Sequence, residues 1–371
     1  MKKLKDTRNK EQEAAEPKRN TLLSKMGLDN PVNRSDSETD IRKRPDRVGL
    51  YLKKYGSNFV FDEFSDAFLE KTGTKDLMKG VPIPLRQEDL EAFQGGEGLS
   101  TLHIAENMAW IMGIDPKFKY TEHYIAFLLK LYNYKIYEGI LKEGRDAAEK
   151  EDFDSACIHF RATLCMKPDY LHGMYSYARV CREMYLKSTD EEYIGRFKAE
   201  SIDYFELITE EHPNFAQAYY YLGYAYINMG LYTKAELAWK NFIDKSHNSQ
   251  DRKEIKERMK QIADPIMIEK GCNDVMAGRY EYGLAILEPF LKTQFKTWWP
   301  LSYYLGVAHL ALGDKKEAVT SFKRVLTING SHLESMQALA DIYASDGDRD
   351  NEVKYRKKIE LVQENLKSSF S

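Results

Sequence analysis

Several features that would invite a chemical reading are scarce in this 371-residue sequence. Its four cysteines, Cys157, Cys165, Cys181 and Cys272, form no CxxC pair. That removes zinc-site spacing and suits small buried thiols in a reducing compartment. Charged residues make up 30% of the chain yet nearly cancel at net −3, so no global field draws it to nucleic acid or to an anionic membrane. No apolar run approaches the roughly 18 residues of a membrane helix. The opening MKKLKDTRNKEQEAAEPKRN has no apolar centre to serve as a signal peptide. The expectation is a cytoplasmic protein without membrane insertion.

Catalytic signatures are missing as well. There is no HExxH, no GxSxG, no phosphate-cradling GxxxxGKS/T and no GxGxxG after a strand. The glycine-rich QGGEG at 94–98 lacks the downstream lysine of a phosphate loop and reads as a turn. His103 shares a helical face with Glu106 but has no third partner, and His159 beside Arg161 reads as packing or surface. No cofactor and no metal is implied, and the chain reads as non-enzymatic.

What is present falls into three textures. Residues 1–48 carry 13 Lys/Arg and 9 Asp/Glu with few large apolar side chains. Such a stretch cannot bury enough surface to offset the entropy of ordering, so a disordered charged tail is expected. Residues 49–136 read as a small helical cap with long loops. In it NFVFDEFSDAFLEKTG spaces Phe61, Phe64 and Phe68 helically, and STLHIAENMAWIMG does the same for Leu102, Ala105, Met108 and Met112 behind a Ser100 cap. Between these two helices Pro82, Pro84 and the glycines of KGVPIPLRQ and QGGEG mark loops.

From 137 to 371 the chain has a period. Small residues recur at Gly144, Ala178, Gly223, Gly271, Gly306 and Ala340, with gaps of 34, 45, 48, 35 and 34. A further position, usually small, follows at Ala156, Ser201, Ala235, Gly283 and Ala318, and a large apolar residue four later at Phe160, Phe205, Trp239, Leu287 and Phe322. Missing side chains let two helices approach closely, while Gly230 and Gly313 stop the first helix in the left-handed conformation. The extra eleven residues in REMYLKSTDEEYIGRFKAES should lengthen both helices of the second pair and make it project. A capping box at Ser188/Glu191 or Thr189/Glu192 should start its second helix near Asp190. In SQDRKEIKERMKQIAD, Ile255, Met259 and Ile262 predict an added amphipathic helix.

This pattern resembles the tetratricopeptide repeat (TPR) family, whose unit of about 34 residues is two antiparallel helices with small residues at positions 8 and 20 and an aromatic at 24. The best matches are YLGYAYINMGLYTKAELAWKNF and YLGVAHLALGDKKEAVTSFKRVL. The resemblance implies an all-α protein, a right-handed α-solenoid of about five repeats plus terminal capping helices behind the cap and the tail. Pro265 and Pro289 should shorten or kink the unit starting at Asp264.

In the family, positions 2, 5, 9 and 12 of each unit face a concave groove. Carried over, these are Leu141 and Arg145 in the unit from Tyr137, and His172, Tyr175, Arg179 and Arg182 in the unit from Leu171. The unit from Ala216 contributes Gln217, Tyr220, Tyr224 and Ile227, and that from Trp299 contributes Tyr303, Val307 and Leu310. One end is basic and the middle aromatic. Leu141, Arg145 and Ser176 stand where the family's carboxylate clamp has lysine and asparagine, so that clamp is not implied. The expected partner is a peptide or protein segment held by an interaction scaffold, with self-association through the hairpin around 183–197. The alternatives are a regulator closing on a signalling peptide, or an enzyme carried by residues 49–136.

Overall fold

The computed structural model describes residues 39–89, 99–133 and 135–368, and the chain divides into two compact units, Met1–Pro213 and Asn214–Ser371. The QGGEG turn and the first 38 residues of the expected tail lie outside the described residues.

In the first unit, the segment 39–48 is built into the fold rather than being tail: Ile41 and Val48 are buried, and α1 (Gly49–Leu52) follows with Leu52 buried. Local composition argued for solvation, but the charges find partners far along the chain. Asp46 pairs with Arg161, and Arg47 with Glu200 and Asp203. The expected helix at 58–73 is also only half right. Its first part is strand β1 (Phe59–Asp62), antiparallel to β2 (Ile83–Arg86) in the stretch read as a loop. Pro84 fits there because a two-stranded ladder has only edge strands, where a missing N–H is tolerated. The helix begins later. Ser65 caps α2 (Asp66–Thr72), Phe64 stacks on Phe68 at 4.4 Å, and Gly73 stops the helix at φ 64°. A one-turn α3 (Lys75–Met78) leads on to β2.

Ser100 caps α4 (Thr101–Ile114) as expected, accepting from the His103 amide; Ala105, Met108 and Met112 are buried and Leu102 is exposed. After α5 (Thr121–Tyr132) comes the first hairpin, α6 (Lys135–Glu149) and α7 (Phe153–Met166), on which α4 packs. The contact is close enough that a Cβ on Gly113 would sit 2.0 Å from the Ile158 carbonyl oxygen. The second hairpin is α8 (Leu171–Lys187) and α9 (Glu191–Glu211). Its long α9 is capped by Asp190, which accepts from the Tyr193 amide, rather than by Ser188 or Thr189. The hairpin does not stand bare, because Tyr51 lies 4.8 Å from Tyr193 and 5.7 Å from Phe197.

The second unit repeats the theme. α10 (Ala216–Asn228) pairs with α11 (Tyr232–Lys245), and the predicted insertion helix is α12 (Ser249–Gln261), capped by Asn248 and burying Ile255. α13 (Ala263–Met276) pairs with α14 (Tyr280–Leu287), which Pro289 ends after eight residues in 3₁₀ turns. α15 (Trp299–Ala311) pairs with α16 (Lys315–Ile328). α17 (Leu333–Ser345) and α18 (Arg349–Ser368), in the stretch expected to hold terminal capping helices, make a sixth hairpin, in which Tyr355 and Ile359 pack with Leu339 and Ala340.

Candidate interaction surfaces

The period becomes a contact in each hairpin. A Cβ on Gly144 would meet the Phe160 ring at 2.6 Å, on Gly223 the Trp239 indole at 2.0 Å, on Gly271 Leu287 at 2.7 Å and on Gly306 Phe322 at 2.8 Å. The glycine is therefore a seat for the large side chain sixteen residues later. The second hairpin replaces glycine with Ala178 and ties its backbone to Ser201, whose hydroxyl donates to the Ala178 carbonyl at 2.8 Å. Fixing one face of each first helix inward leaves the opposite face for other work.

In the first unit that other face is cationic and aromatic. Tyr170, between α7 and α8, stands edge-on to Tyr137 at 5.2 Å and to His172 at 5.7 Å. The Lys167 ammonium lies 5.3 Å and 5.5 Å from the Tyr137 and Tyr170 rings. Burial, with the charge of Glu138, raises the Tyr170 hydroxyl pKa against the opposing charges of Arg145 and Lys167. Along α8, Arg179 lies 5.8 Å from the Tyr175 ring, and Arg182 pairs with Glu183 at 3.0 Å. Arg145, His172 and Arg179 are exposed; Tyr175 and Arg182 are half-buried.

The second unit packs its predicted tyrosines more deeply. Tyr220 and Tyr224 lie 5.2 Å apart, Tyr220 5.3 Å from Phe242 and Tyr224 5.1 Å from Trp239. The Tyr224 hydroxyl donates to Glu254 on the insertion helix at 2.6 Å, and burial together with that carboxylate raises its pKa. Gln217 is half-buried at the start of α10. Tyr303 packs against Phe322 at 6.0 Å and His332 at 4.9 Å. All three tyrosines are half-buried, each with part of its ring committed to its own unit.

Two features escaped the sequence reading. Arg161, noted only as the neighbour of His159, is 1% exposed. Its Nε donates to the Gly113 carbonyl at 2.6 Å, and its other nitrogens hold Asp46 at 2.8 Å and 3.0 Å. The Tyr177 hydroxyl donates to Glu200 at 3.0 Å, which also faces Arg47 at 3.3 Å. Burial would lift the Asp46 carboxyl, but the Arg161 hydrogen bonds and charge outweigh it and hold the pKa below its ordinary value. At Glu200 burial wins over Tyr177, Arg161 and Arg47, and the pKa rises. The available signal was a single arginine in an otherwise small and apolar stretch, CIHFRATLC. The other miss is the outer face of α17, where Glu334, Gln337 and Asp341 occupy positions 2, 5 and 9 of the sixth unit and line a groove.

Among the described residues no helix is long and apolar enough to cross a membrane, and no group of three or more His, Cys, Asp or Glu could hold a metal ion. Six consecutive helical hairpins, closed by small residues against large ones, define an all-α helical-repeat protein. Residues 204–237 and 301–329 each match a family model described as Tetratricopeptide repeat. The chain carries tetratricopeptide repeats.

Solved structures with similar folds include MamA, at 19% identity, covering 48% of this chain and 96% of that one with a TM-score of 0.27. The P58(IPK) TPR domain is 18% identical, with 61% and 60% covered and a TM-score of 0.35. A tetratricopeptide repeat protein from Parabacteroides merdae is 14% identical, with 72% and 99% covered and a TM-score of 0.30. A search of curated proteins finds no match.

Proposed function

We propose that this chain is a non-enzymatic cytoplasmic scaffold that grips an acidic peptide or protein segment on the exposed faces of α6 and α8. The observation that carries the reading is the placing of Arg145, His172 and Arg179, all exposed, beside the half-buried rings of Tyr170 and Tyr175. Guanidinium groups bind carboxylates bidentately. Tyrosine adds contact area with few rotatable bonds and a hydroxyl that tolerates water.

A labelled acidic peptide titrated into the full chain tests this by fluorescence anisotropy. Arg145→Glu with Arg179→Glu should weaken binding about tenfold or more, and wild-type binding should fall with added salt. Equal affinity for the double variant, with its helical content unchanged, would remove the surface from consideration.

A further inference from the structure

The sixth hairpin opens a groove of about 630 Å³ along the outer face of α17, flanked by the end of α15 and by α18. Its floor is apolar: Leu310, Leu333, Ala338, Ile342 and Ile359. Its rim is acidic. The side chains of Glu334 and Asp341 are 68% and 60% exposed. Asp341 accepts from the neutral Gln337 at 2.8 Å, and its cationic neighbour Arg356 sits closer to Glu352. Nearby cations are already engaged. Lys315 is held by Ser345 at 2.8 Å and Asp346 at 2.6 Å, and Arg356 lies 2.9 Å from Glu352 against 3.8 Å from Asp341.

We infer that this groove docks a basic amphipathic segment of a partner protein, with apolar side chains at helical spacing on the floor and Lys or Arg at the rim. Charge complementarity selects this occupant: an acidic segment would meet Glu334 and Asp341 on entry, and a purely apolar one would leave both carboxylates beside buried surface. The inference rests on reading exposed first-helix faces as ligand surfaces. It assigns the second unit a partner of opposite charge to the one proposed for the first.

The probe is a fluorescein-labelled peptide of leucine and lysine, with leucines at i, i+3, i+4 and i+7, beside a twin with glutamate for every lysine. Both are titrated into the full chain and into three variants: Glu334→Lys with Asp341→Lys, Ala338→Arg, and Arg145→Glu with Arg179→Glu. The lysine peptide is expected to bind saturably, to weaken about tenfold or more with either groove variant, and to ignore the arginine variant. Circular dichroism and melting of the charge-reversed chain should match wild type, since both carboxylates are exposed.

The inference is overturned by absence of saturable binding, by equal binding of the two peptides, or by indifference to charge reversal. It is also overturned if wild type sediments as a dimer that charge reversal splits, because a second copy then fills the groove. Loss of lysine-peptide binding in the arginine variant alone overturns it by placing that peptide on α6 and α8. The glutamate peptide reports separately on the reading of that first surface.

Discussion

A fully buried indole resting on a bare backbone leaves no room for even one methyl group. At Gly223 an added Cβ would lie 2.0 Å from Trp239 Nε1, the nitrogen that donates to the Tyr220 carbonyl at 3.3 Å. Gly223→Ala should therefore cost about 1–3 kcal/mol in urea unfolding by forcing the ring off its seat. Gly195, inside α9 with nothing within 4 Å of its added Cβ, makes the opposite case. There alanine should add about 0.5–1 kcal/mol from helix propensity alone. Between the helices of five hairpins the same turn position is left-handed, at Glu151, Gly230, Gly278, Gly313 and Gly347. Only Glu151, at φ 61°, bears a side chain there. Glu151→Gly should stabilise the first unit by about 1 kcal/mol, because the strain removed exceeds what an exposed pair with Lys187 contributes. The cysteines are all buried, and burial pushes the Cys165 and Cys272 thiols up to about 12. Folded protein should show no thiol reactive toward a disulfide reagent at neutral pH, and full reaction in denaturant.

Among the elements, the strap of residues 39–52 and the helices it touches are joined by buried charge. Replacing Arg161 with leucine would strand the Gly113 carbonyl and the Asp46 carboxylate, at a cost of about 3–5 kcal/mol. The two acids in this network act oppositely with pH. Asp46, with its folded pKa below the ordinary 3.8, contributes stability that is present above that value and lost as pH falls through the folded pKa. Glu200, raised above 4.5, favours the fold when protonated, so its contribution is full below 4.5 and lost as pH rises through the raised value. Glu200→Gln should remove that second dependence, so wild type loses stability relative to the variant between mildly acidic and neutral pH when both are unfolded in urea. The hairpins themselves were legible in the chain, since Gly223, Ala235 and Trp239 meet within one local unit. The strap and the β1–β2 pair were not. Asp46 reads as a solvated charge until Arg161 is known to face it, and Phe61 shows helical spacing until Pro84 lies opposite. Of the surfaces, the cationic residues on α8 stand at positions that the family resemblance implies for the groove, whereas the groove on α17 required seeing that Tyr355 completes a sixth hairpin.

At the scale of the whole chain, each unit ends its stack differently. α4 closes the first hairpin with backbone-close contact at Gly113, and the charged α18 closes the sixth by covering Met336, Leu339 and Ala340. An open repeat stack exposes an apolar face. Ending the chain at residue 348 should thus increase binding of a hydrophobic dye and shift the protein toward aggregates in size-exclusion chromatography. The strap carries a consequence for the order of events on the ribosome. Its pins span 115 residues from Asp46 to Arg161 and 153 from Arg47 to Glu200, whereas each hairpin of the second unit joins near neighbours. Asp46 is synthesised long before its partner, and contacts of such separation form slowly. The strap is consequently completed only after two hairpins have followed it, and until then it presents Ile41, Val48 and Leu52 uncovered to whatever attends the nascent chain.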